Sequence, residues 1–178
     1  MSPRLVIAVA VLLAGSTAPV WAADLLAVPT SAGDAIPVAS AFDWNGFYAG
    51  VYGVTRSSPN DGVQYGLGLE LGYNARIQMV LVGGEVAIEG LTGGSGDASY
   101  LQSVGKVGLA VTDDVVLYGA AGAGVALGGV GESDILVGGG ITMAVSDSVS
   151  LDARYLHAIP VEGANPKDQL TLGANFHF

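Results

Sequence analysis

The sequence predicts an all-β protein, an eight-stranded antiparallel up-and-down transmembrane β-barrel with an N-terminal signal peptide. Three observations predict it. From residue 42 onward, glycine and turn residues cut the chain into eight segments of apolar–polar alternation, the period of a strand with two unlike faces. The connections alternate short and long, as in a meander whose two ends face different compartments. The polar face is mostly Gly, Ala and Ser with few charges. That suits the narrow interior of an eight-stranded barrel better than a surface in contact with water.

The N-terminus comes first. Arg4 precedes an apolar run over 5–14, Gly15, Ser16 and Pro19 break it, and Val20-Trp21-Ala22 sets small residues where a signal peptidase reads. The pattern predicts a secretory signal over 1–22, cleaved after Ala22 or Ala23, and the run is too short for an anchor. Residues 23–41 are rich in Ala, Pro, Val and Ser without a period and predict an extended periplasmic linker. The barrel is expected over 42–178. Hydrophobic residues are 51% of the 178 and charged residues 12%, apolar for a soluble domain. No apolar run downstream of the leader reaches the length of a membrane helix. The absence of cysteine excludes disulfides and thiolate metal sites. Without Arg4, 16 acids face five bases, a net charge of −11. Such a chain offers no basic stripe to a phosphate backbone, so nucleic acid is not an expected partner.

The eight segments lie near 46–55, 63–74, 77–89, 99–111, 115–127, 133–145, 149–160 and 168–178. The first is ambiguous in its facing. In the second, Val63, Tyr65, Leu67, Leu69, Leu71 and Tyr73 share one side and Gln64, Gly66, Gly68, Glu70 and Gly72 the other. The third and fifth are apolar or small on both sides, so only Glu85, Glu89 and Tyr118 orient them. In the fourth, Leu101, Val107, Leu109 and Val111 oppose Gln102, Lys106 and Gly108. In the sixth, Ile135, Val137, Ile141, Met143 and Val145 oppose Asp134, Gly138, Gly140 and Thr142. In the seventh, Val149, Leu151, Ala153 and Tyr155 oppose Ser150, Asp152 and Arg154. The eighth alternates Leu170, Leu172, Ala174, Phe176 and Phe178 against Gln169, Thr171, Gly173, Asn175 and His177. Tight turns are expected at 75–76, 112–114 and 146–148, and longer loops at 56–62, 90–98, 128–132 and 161–167.

A membrane barrel turns its apolar face outward, and a soluble ligand-binding barrel turns it inward. Segments of about ten to thirteen residues match a tilted crossing of the bilayer and favour the membrane arrangement. Tyr73 and Tyr155 then join an aromatic girdle.

FDWNGFYAG (42–50) resembles the aromatic-Trp-polar-Gly-x-Tyr-x-Gly opening of the small outer-membrane β-barrel proteins of alphaproteobacteria, the porin-like, Omp25/Omp31-type family. LELGYN (69–74), VLVGGEVAIEG (80–90), VLYGAAGAGVALG (116–128) and SLDARYLHAI (150–159) are similar to that family's later strands, in order, and the likeness covers 42–178. The resemblance implies outer-membrane localisation. It also implies that Phe176 and Phe178, on an alternating last strand, are read by the outer-membrane assembly machinery. The outer loops are shorter than is usual for the family, which weakens any loop-borne role such as adhesion.

On the lumen side, Glu70, Glu85, Lys106, Asp152 and Arg154 are expected to form a charge network, with Glu89 nearer the outer rim. An unpaired charge there would cost several kcal/mol, so pairing is expected. The lumen of eight strands is small, so the expected function is structural: a closed monomeric barrel, surrounded by lipid and lipopolysaccharide, contributing to envelope integrity. The alternative is a narrow porin-like channel for small polar solutes or ions, and a third reading is a secreted barrel with an apolar ligand. An enzyme is not expected. His157 and Ser103 are both placed on the lipid side, but on strands four and seven, too far apart to act together, and His177 is placed in the lumen. GGVGES and GAAGAG lack the Lys-Ser/Thr of a phosphate loop, and GGSGD is not repeated. No cofactor or metal is expected, although Asp61, Asp97, Glu132, Asp134 and Glu162 are acids of the outer loops that could weakly hold divalent cations.

Overall fold

The computed structural model describes residues 42–59, 62–94, 96–127, 133–161 and 166–178. The expected signal peptide and linker lie outside them. Eight strands, β1 (Gly46–Ser58), β2 (Gly62–Ile77), β3 (Val80–Gly93), β4 (Ala98–Ala110), β5 (Val115–Leu127), β6 (Ser133–Ser146), β7 (Val149–Pro160) and β8 (Lys167–His177), follow one another around the sheet. Each pairs antiparallel with its neighbours, and β1 pairs with β8, which closes the barrel and leaves no free edge. Three short turns gather at one end, Gln78–Met79, 111–114 and Asp147–Ser148. Residues 42–45 and Phe178 lie at this short-turn end too, since Gly46 pairs with Asn74 and the Phe178 amide donates to the Phe47 carbonyl.

Register decides the faces, because a slip of one residue would turn every side chain over. Leu67 is 76% exposed and Leu172 50%, whereas Arg154 is 2% and Glu89 1%. Leu109, Ile141, Ile88 and Val137 are also outside, and Glu70, Glu85, Lys106 and Asp152 are inside. The exterior is thus a continuous apolar band around a polar interior. This inside-out distribution defines a barrel built to cross a bilayer. Near the short turns the band carries Phe47 and Tyr73, packed edge-on at 5.0 Å, and Phe176 and Phe178 at 5.3 Å. Toward the opposite end it carries Tyr65 and Tyr155.

Three boundaries differ from the sequence expectation. The turn expected at 75–76 falls at Gln78–Met79. Alternation continues through Tyr73, Ala75 and Ile77, so β2 stays in the ladder until Gln78 adopts a left-handed conformation with φ 58°. Strand β3 runs on to Gly93, because Leu91 is still an inward, buried residue paired with Gly66. Strand β1 runs to Ser58, and this places Arg56, expected at the start of a loop, inside the barrel.

Candidate functional site

The lumen collects the buried charges. Its tyrosines are positioned by glycines. Tyr48 faces Gly72, Tyr52 faces Gly68 and Tyr118 faces Gly140 as cross-strand partners, and Tyr100 leans onto the diagonal Gly124. Each ring lies where a Cβ on that glycine would stand. The bare backbone opposite lets a large ring lie flat along the wall of a narrow barrel and reach inward with its hydroxyl.

The middle layer is ionic. Arg154 on β7 pairs with Glu70 on β2 at 3.1 Å and, through its other terminal nitrogen, with Glu85 on β3. Lys106 on β4 pairs with Glu85 at 2.8 Å and donates to the Tyr48 hydroxyl at 2.6 Å, and that hydroxyl donates to Glu85 at 2.7 Å. Four of the five residues singled out in the sequence therefore meet in one cluster that spans the bore. Asp152 is held by hydroxyls, accepting from Tyr118 at 2.8 Å and from Thr142 at 2.6 Å. Its β-strand partners are Thr142 and Gly173, which sets it beside the hydroxyl and away from the carboxylate pair on β2 and β3.

A second layer lies toward the long-loop end, where the sequence places Glu89 and Gln169 on the lumen side but leaves Arg56 out. Arg56 pairs with Glu89 at 2.9 Å and donates to Gln169 at 2.7 Å. Gln169 donates to Glu89 at 2.7 Å, and Tyr52 also donates to Glu89, at 3.0 Å. The Arg56 guanidinium stacks 3.9 Å over the Tyr100 ring, whose hydroxyl donates to Asp134 at 2.7 Å. The inward run Tyr48, Tyr52, Val54 and Arg56 is the available signal, but the first segment is ambiguous in its facing and Arg56 stands where a loop is expected. Asp134, named both on the polar face of the sixth segment and among the acids of an outer loop, is 1% exposed and points into the lumen, since Ile135 takes the outward position beside it. Asp97 accepts from Thr92 at 2.7 Å, and Asp61, Glu132 and Glu162 lie outside the described residues. Apolar side chains fill the rest of the bore: Val104, Ala120, Leu136, Leu156 and Ala158 between β4 and β7, and Val54, Ala87 and Leu91 near Tyr52.

At the short-turn end is a third layer, where the sequence places His177 and Ser150 on the lumen side but gives no sign of the aromatic plug beside them. Phe42 and Trp44 are buried against Leu81, Ala110 and Val116, with Ala144 beside them. His177 receives both rings edge-on, at 4.9 and 5.9 Å, stacks on Tyr48, and shares a 3.0 Å hydrogen bond with Ser150. Just outside, the Asn45 amide groups bond Asp43 and hold its carboxyl below the usual carboxylate range.

On the exterior, His157 and Tyr155 both bond Asp168, at 2.8 and 2.6 Å, near the long-loop end. This half-exposed polar group marks where the wall leaves hydrocarbon, since a carboxylate there needs headgroups or water. Ser103 is outward on β4, with β5 and β6 between it and His157.

The fold and this geometry define an eight-stranded membrane-type barrel with a filled lumen. Solved structures of the same shape follow from that class. The chain is similar to Ail, the attachment invasion locus protein of Yersinia pestis, at 17% identity and a TM-score of 0.57, covering 75% of this chain and 97% of that one. It is similar to Neisserial surface protein A at 19% identity and a TM-score of 0.52, with the same coverage. A complex of Ail with the heparin analogue sucrose octasulfate matches at 18% identity and 0.52. The shared fold is that of small outer-membrane barrels. No protein-family model matches the chain, and no curated protein does.

Proposed function

We propose that this protein is a sealed outer-membrane barrel whose role is structural, contributing to the integrity of the envelope. The observation that carries the reading is the crossing of the bore by Arg154, Glu70, Glu85 and Lys106, backed by tyrosines on both sides. A hydrated ion has to break paired, buried charges to pass, and each unpaired charge costs several kcal/mol. The short-turn end faces the periplasm and the longer loops face outward, the usual arrangement of such barrels. Lipid and lipopolysaccharide surround a monomer. The finer assignment to the alphaproteobacterial Omp25/Omp31-type group rests on the strand motifs and their order. Ail is known here in a heparin-analogue complex, but the cations of this chain favour no such ligand. Among the described residues, Arg56, Lys106 and Arg154 are buried inside, Arg76 is at the short-turn end, and Lys167 faces Asp134.

Refolded protein in planar bilayers is expected to give no steady current steps. Stable steps of roughly nanosiemens size, the scale of open porin channels, would reverse the reading in favour of passive diffusion of small polar solutes.

Phe176 and Phe178 serve as the signal to the assembly machinery. Phe178→Ala, which keeps the amide that donates to Phe47, is expected to lower the amount of folded barrel in outer membranes while leaving the unfolding midpoint of protein refolded in vitro near that of the wild type. An equal loss in both assays would assign Phe178 to stability instead.

A further inference from the structure

The segment ahead of β1 is part of neither the sheet nor the charge network, yet it holds the bulkiest of the fully buried side chains among the described residues. Trp44 is 1% exposed, and its indole nitrogen donates at 3.0 Å to the Asp113 carbonyl in the β4–β5 turn. Next to it the Asn45 side-chain Oδ1 accepts from the Arg76 backbone N–H at 2.7 Å, near the β2–β3 turn. The rest of the contact is apolar and aromatic: Leu81, Ala110, Val116, Ala144 and the His177 ring. The chain then swings out of the bore at Gly46, whose φ of +113° is a left-handed conformation that other residues rarely adopt. The motif Phe-Asp-Trp-Asn-Gly thus places two aromatic plugs, one latch and one hinge in five residues.

We propose that the short-turn mouth is a docking site for an aromatic peptide segment, occupied in cis by Phe42 and Trp44, and that the segment leaves and returns as a unit about Gly46. The site has the features such a ligand needs. Its apolar walls fit two rings, one backbone carbonyl accepts the indole N–H, and a second latch is supplied by an amide at the rim. The strands that line it are fixed by the closed sheet, whereas the segment is held at its inner end by side-chain contacts and two hydrogen bonds. Opening of the least-anchored element before the rest is the general pattern of local unfolding. Departure exposes the lower lumen as far as Lys106 and Tyr48. It does not open the barrel, because the Arg154–Glu70–Glu85 layer lies beyond. The proposal is therefore independent of the sealed-lumen reading.

The chain has no cysteine, so one introduced thiol reports the state of the mouth. Val116→Cys, buried beneath the rings, is compared in the full chain with Ser146→Cys, exposed at the same end, by reaction with a water-soluble maleimide. Val116→Cys is expected to be protected in the otherwise unchanged protein. In Phe42→Ala/Trp44→Ala it is expected to react as Ser146→Cys does. A synthetic peptide of residues 42–46 in excess is expected to restore protection, and the same peptide with alanine for tryptophan is not. That double variant is expected to stay non-conducting in planar bilayers, so current through it would count against the sealed lumen and leave the docking site standing. Protection that survives the double substitution, or that the peptide does not restore, overturns the docking site. If the double variant does not show the mobility of a folded barrel on unheated gels, Asn45→Ala takes its place. It removes the latch to Arg76 together with the side-chain bond to Asp43 within the same segment, and an unchanged rate at Val116→Cys in that variant overturns the hinged release.

Discussion

Arg154→Ala is expected to lower the unfolding free energy of the barrel by about 3–5 kcal/mol, the cost of removing one partner from a buried ion pair. Arg154 is 2% exposed and is the ion-pair partner of Glu70 at 3.1 Å while also engaging Glu85. Glu85 keeps Lys106 and Tyr48 when the guanidinium is lost. Glu70 loses its cation and is left 7% exposed in the bore. The loss therefore falls chiefly on one carboxylate, and this gives the test its internal control. Glu70→Gln in the Arg154→Ala background removes the stranded charge and is expected to recover much of the deficit. Urea unfolding of protein refolded into lipid vesicles, followed by the mobility shift on unheated gels, measures both. A midpoint unchanged in Arg154→Ala would mean that the pair does not exist in the bilayer.

The second large effect is expected at a glycine. A valine at Gly72 places its Cβ on the Cζ and hydroxyl of Tyr48, the cross-strand partner. The ring cannot stay, and overpacking of this kind costs about 1–3 kcal/mol. Moving it also withdraws the hydroxyl that bridges Lys106 and Glu85, and stranding a buried hydrogen-bonding group adds about 1–3 kcal/mol. Gly90 is the control. It lies on the lipid-facing side of β3, and a Cβ there meets nothing within 4 Å. Gly90→Val is expected to leave the urea midpoint near that of the wild type, while Gly72→Val lowers it sharply. Equal effects would show that strand propensity alone, and not the tyrosine, decides these positions.

The sheet was legible because two faces with opposite solvents imprint a period of two. Leu67, Leu69 and Leu71 alternate with Gly68, Glu70 and Gly72, and that alone fixes both the strand and its facing. Alternation carries no information about where a hairpin turns when the pattern runs unbroken through it, which is why β2 outlasts Arg76 and ends at Ile77. Of the interior, the charges were legible as residues but not as partners. Whether Glu85 meets Arg154 depends on strands four apart in the closed ring, and nothing in the local pattern of β3 or β7 encodes that meeting. Arg56 shows a different failure. A charge opening a polar stretch that runs to Gly62 reads as solvent-exposed, and only the buried Glu89 and Gln169 opposite it reveal that the strand continues. The plug was hidden for a third reason. Phe42 and Trp44 lie outside the ladder, where no period applies, and their burial comes from Leu81, Ala110 and Val116 on three other strands.

The central claim is that the leucine-bearing face meets acyl chains while the charged face is closed off inside. Single spin labels at Leu67→Cys, Leu109→Cys, Ile141→Cys and Leu172→Cys, in vesicles, put it to the most direct test by comparing collisions with dissolved oxygen and with a water-soluble nickel chelate. The account predicts strong oxygen collisions and weak chelate collisions at all four positions, with a label at Glu70→Cys shielded from both. Four labels that collide freely with the chelate, or that are as immobile and shielded as the one at Glu70, would contradict it.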